Sequence, residues 1–85
     1  MAYSTTTVPV TSTVDWTLIT SKVALLQFNS DMYMAISSGV TPTSEGFRMT
    51  NGEKYVNSLD GVYVWAKAIE GSNDVHSVRV AEDSV

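Results

Sequence analysis

The sequence predicts an all-β domain: a single small antiparallel β-sandwich or barrel-like jelly roll of about seven to eight short strands, with an extended N-terminal arm. Three observations predict it. Twenty-one of the 85 residues are Ser or Thr and twelve are Val, a usage that suits strands, because β-branched side chains pack well on a pleated surface and crowd a helical turn. Where apolar residues are dense they alternate with period two. Gly, Asn and Asp punctuate the chain every eight to twelve residues or so, the turn spacing of sandwiches and barrels.

Taken in order, residues 1–13 are almost all Thr, Ser and Val and suit an extended arm or edge strand better than a core element. Strand addition onto a neighbouring subunit would use Thr5, Thr6, Thr7, Val8 and Val10. The sandwich proper is expected over 14–80. Val14, Trp16 and Leu18 alternate with Asp15, Thr17 and Ile19, which predicts a half-buried strand with Trp16 as core anchor. From Lys22 to Phe28, Val23, Leu25 and Gln27 share one face and Ala24, Leu26 and Phe28 the other; apolar residues on both faces predict a central strand. A helix over the same residues would have an apolar stripe that breaks after one turn. Asn29-Ser30-Asp31 is a turn cluster, and Met32, Met34 and Ile36 share a face beyond it, so Lys22 to Ile36 is expected to be a hairpin.

Ser37 to Gly46, with two glycines and a proline, is the main surface loop. Phe47-Arg48-Met49 makes a short strand. Asn51-Gly52 is the strongest local turn signal, closing either a hairpin or a bend between sheets ahead of Lys54-Tyr55-Val56. Asp60-Gly61 turns into the most strand-like run, where Val62, Val64 and Ala66 oppose Tyr63, Trp65 and Lys67. Glu70 to Asp74 turns again, Val75 to Val80 forms the last strand, and residues 81–85 are expected as a short acidic tail.

Composition narrows the function. Five Lys and Arg against nine Asp and Glu give a net charge of −4, so the surface repels polyanions and no nucleic-acid partner is expected. Without cysteine there is no disulfide, thiolate nucleophile or cysteine-ligated zinc. The longest apolar runs, Val23 to Leu26 and Val62 to Ala66, fall far short of the roughly 20 residues of a membrane helix, and the first residues lack the basic start and apolar stretch of a secretory signal. Neither a membrane partner nor export is expected.

Catalysis is not expected either. The only imidazole, His76, is expected on a solvent-facing strand, and spelling a triad from it, Asp74 and one of eleven serines carries almost no information. The carboxylates are scattered, with no metal-ligand run, and Asn29-Ser30-Asp31 and Asn73-Asp74 read as turn formers. No Gly-rich cluster cradles phosphate, and no cofactor is expected. Tyr63 and Trp65 share a face, and if Val62, Val64 and Ala66 fill the core these two aromatics point outward as an interface; with the opposite facing they are core. A domain this small buries only about 60 to 65% of the surface its unfolded chain exposes, so docking onto a partner would add to a thin core.

The order of signals has a further reading. A Ser/Thr/Val-rich start, Val23-Ala24-Leu25-Leu26-Gln27-Phe28-Asn29-Ser30, the Met-Tyr-Met-Ala-Ile strand, a Pro-containing loop, Gly46-Phe47-Arg48-Met49 with Asn51-Gly52-Glu53, and Gly61-Val62-Tyr63-Val64-Trp65-Ala66-Lys67-Ala68 before a Val-rich strand resemble the small virion proteins of tailed bacteriophages from Val14 to Val80. In those proteins a leucine–glutamine–asparagine strand, a Gly-Glu turn and a strand of the form G-x-Y/V-W/Y-A recur in this order. The resemblance implies a structural role, that of a decoration or cement protein made in the host cytoplasm. Such a protein binds the outer capsid lattice of the major capsid protein, often as a trimer, and stiffens the head against internal DNA pressure. The chain lacks an appended fibre or collagen-like stalk, which argues against host recognition. The alternatives are a head–tail or tail-associated sandwich, and a small carbohydrate- or receptor-binding module using Tyr63, Trp65 and the loop from Ser37 to Gly46.

Overall fold

The computed structural model describes residues 3–43, 46–69 and 76–83. Its strands are β1 (Tyr3–Pro9), β2 (Thr17–Thr20), β3 (Ala24–Phe28), β4 (Met32–Ser37), β5 (Phe47–Met49), β6 (Lys54–Asn57), β7 (Tyr63–Ala68) and β8 (Ser77–Asp83). They form two four-stranded antiparallel sheets, sheet A in the order β1-β8-β3-β6 and sheet B in the order β2-β7-β4-β5. The first strand pairs with the last, the second with the seventh, the third with the sixth and the fourth with the fifth. This ribbon of pairs is wound so that β8 also meets β3 and β7 also meets β4. It is the connectivity of an eight-stranded jelly roll, and the expected small β-sandwich is the observed fold.

Period-two patterning places the core. Ala24, Leu26 and Phe28 of β3 and Val78 and Val80 of β8 point from sheet A onto Met32 and Met34 of β4 and Val64, Ala66 and Ala68 of β7 in sheet B. Most of these side chains are fully buried; removing such apolar surface from water contributes about 25 cal/mol per Å². Two polar links cross or close the layers. Thr20 Oγ1 donates to Glu82 Oε1 at 2.6 Å, and buried Asn57 donates through Nδ2 to the carbonyls of Lys22 at 2.8 Å and Val62 at 3.0 Å.

Several expectations change. Lys22 to Ile36 is not a hairpin: β3 lies in sheet A and β4 in sheet B, and Asn29-Ser30-Asp31 carries the chain round a corner between layers. The Asn51-Gly52 turn is likewise a bend between sheets. The two corners lie against each other, with Phe28 N–H donating to Glu53 O (2.9 Å), Gly52 N–H to Phe28 O (2.7 Å) and Asn51 N–H to Asp31 Oδ1 (2.8 Å). Gly52 turns at φ +89, a conformation that costs an L residue roughly 1–2 kcal/mol. Among the described strands only β4 and β5 are consecutive and pair within one sheet, joined by the long loop.

Trp16 is not a core anchor. Register shifts between Leu18 and Thr20, and this bulge turns Ile19 and Thr20 inward together while Leu18 and Val14 are exposed. His76 is buried, not solvent-facing, because it shares its face with Val78 and Val80. Of the two readings of residues 1–13, extended arm or edge strand, the described part takes the second: Tyr3 to Pro9 is the edge strand of this chain's own sheet A, in register from Tyr3↔Asp83 to Pro9↔Ser77. Nor does a tail begin at Ala81, since β8 runs through Asp83, held by β1 on one side and by β3 as far as Glu82 on the other. The turn from Glu70 to Asp74, Met1 and Ala2, and Ser84 and Val85 lie outside the described residues.

Candidate assembly surfaces

The residues singled out for an interface fall on opposite layers. Thr5, Thr6 and Thr7 lie exposed on β1 at the edge of sheet A. Val8 is half-buried against the core and Val10 is only 1% exposed, because Val8 sits opposite Val78 and Val10 continues inward beyond it; Val10 is a core residue with no side-chain surface for a partner. Tyr63 and Trp65 lie on the outer face of sheet B, the outward of the two facings open to them, since Val64 and Ala66 are fully buried.

That outer face is largely engaged by the chain itself. Tyr63 and Trp65 stack with ring centroids 6.4 Å apart at 21°, and Trp65 Nε1–H donates to Ser37 Oγ at 2.8 Å. Both rings are half-buried. The loop joining β4 to β5 folds over the same face, so that Thr41, Pro42 and Thr43 meet Val14, Asp15, Trp16 and Lys67 around a shallow cleft of about 540 Å³. The Lys67 ammonium sits 4.6 Å from the Trp16 ring centroid, a cation–π contact. Gly46 closes the loop at φ +79, where an added Cβ would lie 2.4 Å from Met34 O and 2.9 Å from the Trp16 ring. Ala35, paired with Trp65, is 3% exposed on this outer face.

Sheet A presents a different outer face. Leu25 is 46% exposed and Val56 61%; they are cross-strand partners, and Ala81 lies opposite Leu25 on the other side. With Val23 they line an apolar depression of about 340 Å³. The neighbouring row reads Thr7, Arg79, Gln27 and Lys54 across the four strands, so a cationic border runs beside the apolar strip. The signal for this patch is in the sequence, as the apolar residues on both faces of Lys22 to Phe28, but centrality in the sheet explains that pattern equally well.

Charged and polar groups elsewhere serve the corners. Asp31 accepts from Arg48 Nη2 at 3.3 Å as well as from Asn51 N–H, an exposed pair contributing about 0–1 kcal/mol. Glu53 Oε1 accepts from the Thr50 N–H (2.8 Å) and hydroxyl (2.7 Å), and the backbone N–H above all, then the hydroxyl, hold its carboxyl below the ordinary carboxylate value. Ser30 Oγ and His76 Nε2 are buried without a hydrogen-bond partner among the described residues. Among those residues no three His, Asp or Glu side chains group as metal ligands would, and no helix is long and apolar enough to cross a membrane. Asp74, the acid of the triad spelling, lies outside them. No protein-family model, curated protein or solved structure matches the chain.

Proposed function

We propose that this chain is a passive assembly subunit: a structural virion protein of a tailed bacteriophage that decorates the outer capsid lattice through contacts with the major capsid protein. The observation that carries the assembly reading is the exposed strip of Val23, Leu25, Val56 and Ala81 with its border of Arg79 and Lys54. Apolar residues clustered on one open sheet face mark a surface meant to be covered, and the cationic row would match carboxylates at the rim of a partner. The phage assignment rests on the resemblance running from Val14 to Val80. A jelly roll hosts many functions, so the fold itself is neutral between them.

Binding energy on this reading comes from burying apolar area against the lattice, with no chemical step. The test is quantitative mass spectrometry of the purified particle, as copies of this chain per copy of the major shell protein. Comparable numbers are expected. A few copies per particle would move the chain to the head–tail or tail region, and absence from the particle would overturn the virion assignment.

A further inference from the structure

We infer that β1 pairs edge to edge with β1 of a second copy, making a twofold dimer through a continuous eight-stranded sheet. The argument starts from where the backbone groups of β1 point. Val10 N–H donates to His76 O at 3.0 Å in line with the β1–β8 register, and antiparallel pairs alternate between bonded and non-bonded positions. The even-numbered residues of β1 therefore turn their N–H and C=O groups toward β8. Those of Tyr3, Thr5 and Thr7 point away, to an edge with no partner strand among the described residues. Pro9 falls in this outward set, where its missing N–H removes no bond to β8.

This edge is unguarded. Natural edges are blunted by shortness, charge, proline or bulges. Of the other three, β6 has four residues and includes Lys54, β5 has three and includes Arg48, and β2 has four and a bulge. β1 has seven residues and no charge, with proline only at its last position. Length then selects the occupant: a seven-residue edge laid on a three- or four-residue one leaves its remaining groups unpaired, whereas a second β1 matches it along its length. An antiparallel register centred on Thr5 sets Tyr3 against the second copy's Thr7, Thr5 against Thr5 and Thr7 against Tyr3, with about six backbone hydrogen bonds and Pro9 outside the pairing. A strand without charge brings no repulsion of its own to that contact, although the chain carries −4.

The twofold axis of such a pair stands perpendicular to the sheet, so the two apolar strips lie on the same side. The dimer is a bivalent version of the face described above, and a second attachment raises the strength of the first without new contacts. One ribbon of strand pairing buries less than the roughly 1,200–2,000 Å² of a stable complex, so the dimer is expected to dissociate on dilution through the micromolar range.

The experiment is sedimentation equilibrium of the isolated full chain from about 1 to 500 µM, with amide exchange by NMR at both extremes. A monomer–dimer equilibrium is expected, with the amides of Tyr3, Thr5 and Thr7 slowing as concentration rises and those of Ser4 and Thr6 unchanged. Thr5→Pro removes an outward N–H and no bond to β8, so it is expected to keep the fold and weaken the dimer at least tenfold. If circular dichroism shows that Thr5→Pro does not fold, Thr5→Lys, which places charge on the edge, is expected to give the same loss. A monomer at every concentration, a trimer, or a dimer indifferent to a folded variant overturns the pairing. Dimerisation in solution and copy number in the particle are read separately, so either proposal falls without the other.

Discussion

The two outer faces of the sandwich treat the apolar side chains at their centres in opposite ways, although Leu18, on the edge strand of sheet B, is exposed as well. On sheet B, Tyr63, Trp65 and Trp16 are half-buried under their own hydrogen bond, cation–π contact and overlying loop. On sheet A, Leu25 and Val56 are open. The cause is connectivity. The one connection between described strands that returns to its own sheet joins β4 to β5, and its residues Thr41 to Thr43 fold back over sheet B. Every other connection leaves one layer for the other. Large outward aromatics are therefore a poor guide to free surface here, and smaller aliphatic residues on the uncovered sheet are a better one.

The contrast is tested most severely at Gly46. Gly46→Ala meets a backbone carbonyl and a Trp ring at a positive φ, and strain plus overpacking is expected to cost about 3 kcal/mol in urea unfolding. Gly61→Ala, at φ +86 with open space around it, is expected to cost about 1 kcal/mol by the same measurement. A similar loss at both sites would mean that the loop does not cover sheet B. Trp65→Ala comes next, at about 2–3 kcal/mol for a half-buried ring, with Ser37→Ala at about 1 kcal/mol for the hydrogen bond alone.

On sheet A the expectation reverses. Leu25→Ser is expected to leave unfolding stability within about 0.5 kcal/mol of the parent and, on the proposed decoration role, to lower occupancy on capsids in a sedimentation assay. A large stability loss there would turn the strip into ordinary core. The smallest effect lies at Glu53, away from both faces. Its carboxyl is held below the ordinary value of 4.5, so the turn it closes is fully supported above that pH and loses support as pH falls through the lowered folded value. Glu53→Gln is expected to flatten this acid limb in a pH series of melting temperatures.

Much of the architecture was legible from local pattern. Alternation in Ala24 to Phe28 and in Val64 to Ala68 marked the strands but left open which face of each meets the core, and of the two readings of Asn51-Gly52 the bend between sheets is the one observed. Pairing was less legible, because Asn29-Ser30-Asp31 suits a hairpin turn and a corner between layers equally well, and which one forms depends on β6, β7 and β8 far along the chain. Over Val14 to Ile19 the alternation is regular and the face with Trp16 is the outer one, Leu18 lying opposite outward Trp65; alternation alone does not say which face is inner, and the bulge after Leu18 adds Thr20 to the inward side. The facing of His76 was readable from its parity with Val78 and Val80, a signal that a lone imidazole near a turn obscured. Of the interface candidates, Thr5, Thr6 and Thr7 are exposed, whereas Val10 is spent on the core. The strip on sheet A was masked because an apolar face covered by a partner and one covered by the chain itself read alike.

Pairing of the first strand with the last also bears on how the chain leaves the ribosome. Tyr3 finds its partner only at Asp83, so sheet A lacks one of its two central strands, and β1 lacks its mate, until nearly the whole described chain has emerged from the exit tunnel. The β4–β5 hairpin can form early, but the layer that closes the sandwich waits until β8 is free. Folding dominated by such distant contacts is slow, in the range of milliseconds to seconds, and through that interval β1 and β8 are both open to strands from neighbouring nascent chains. In a cell making many copies at once, that Ser/Thr/Val edge is then a hazard for unfinished chains, and chaperone demand should scale with the rate of synthesis.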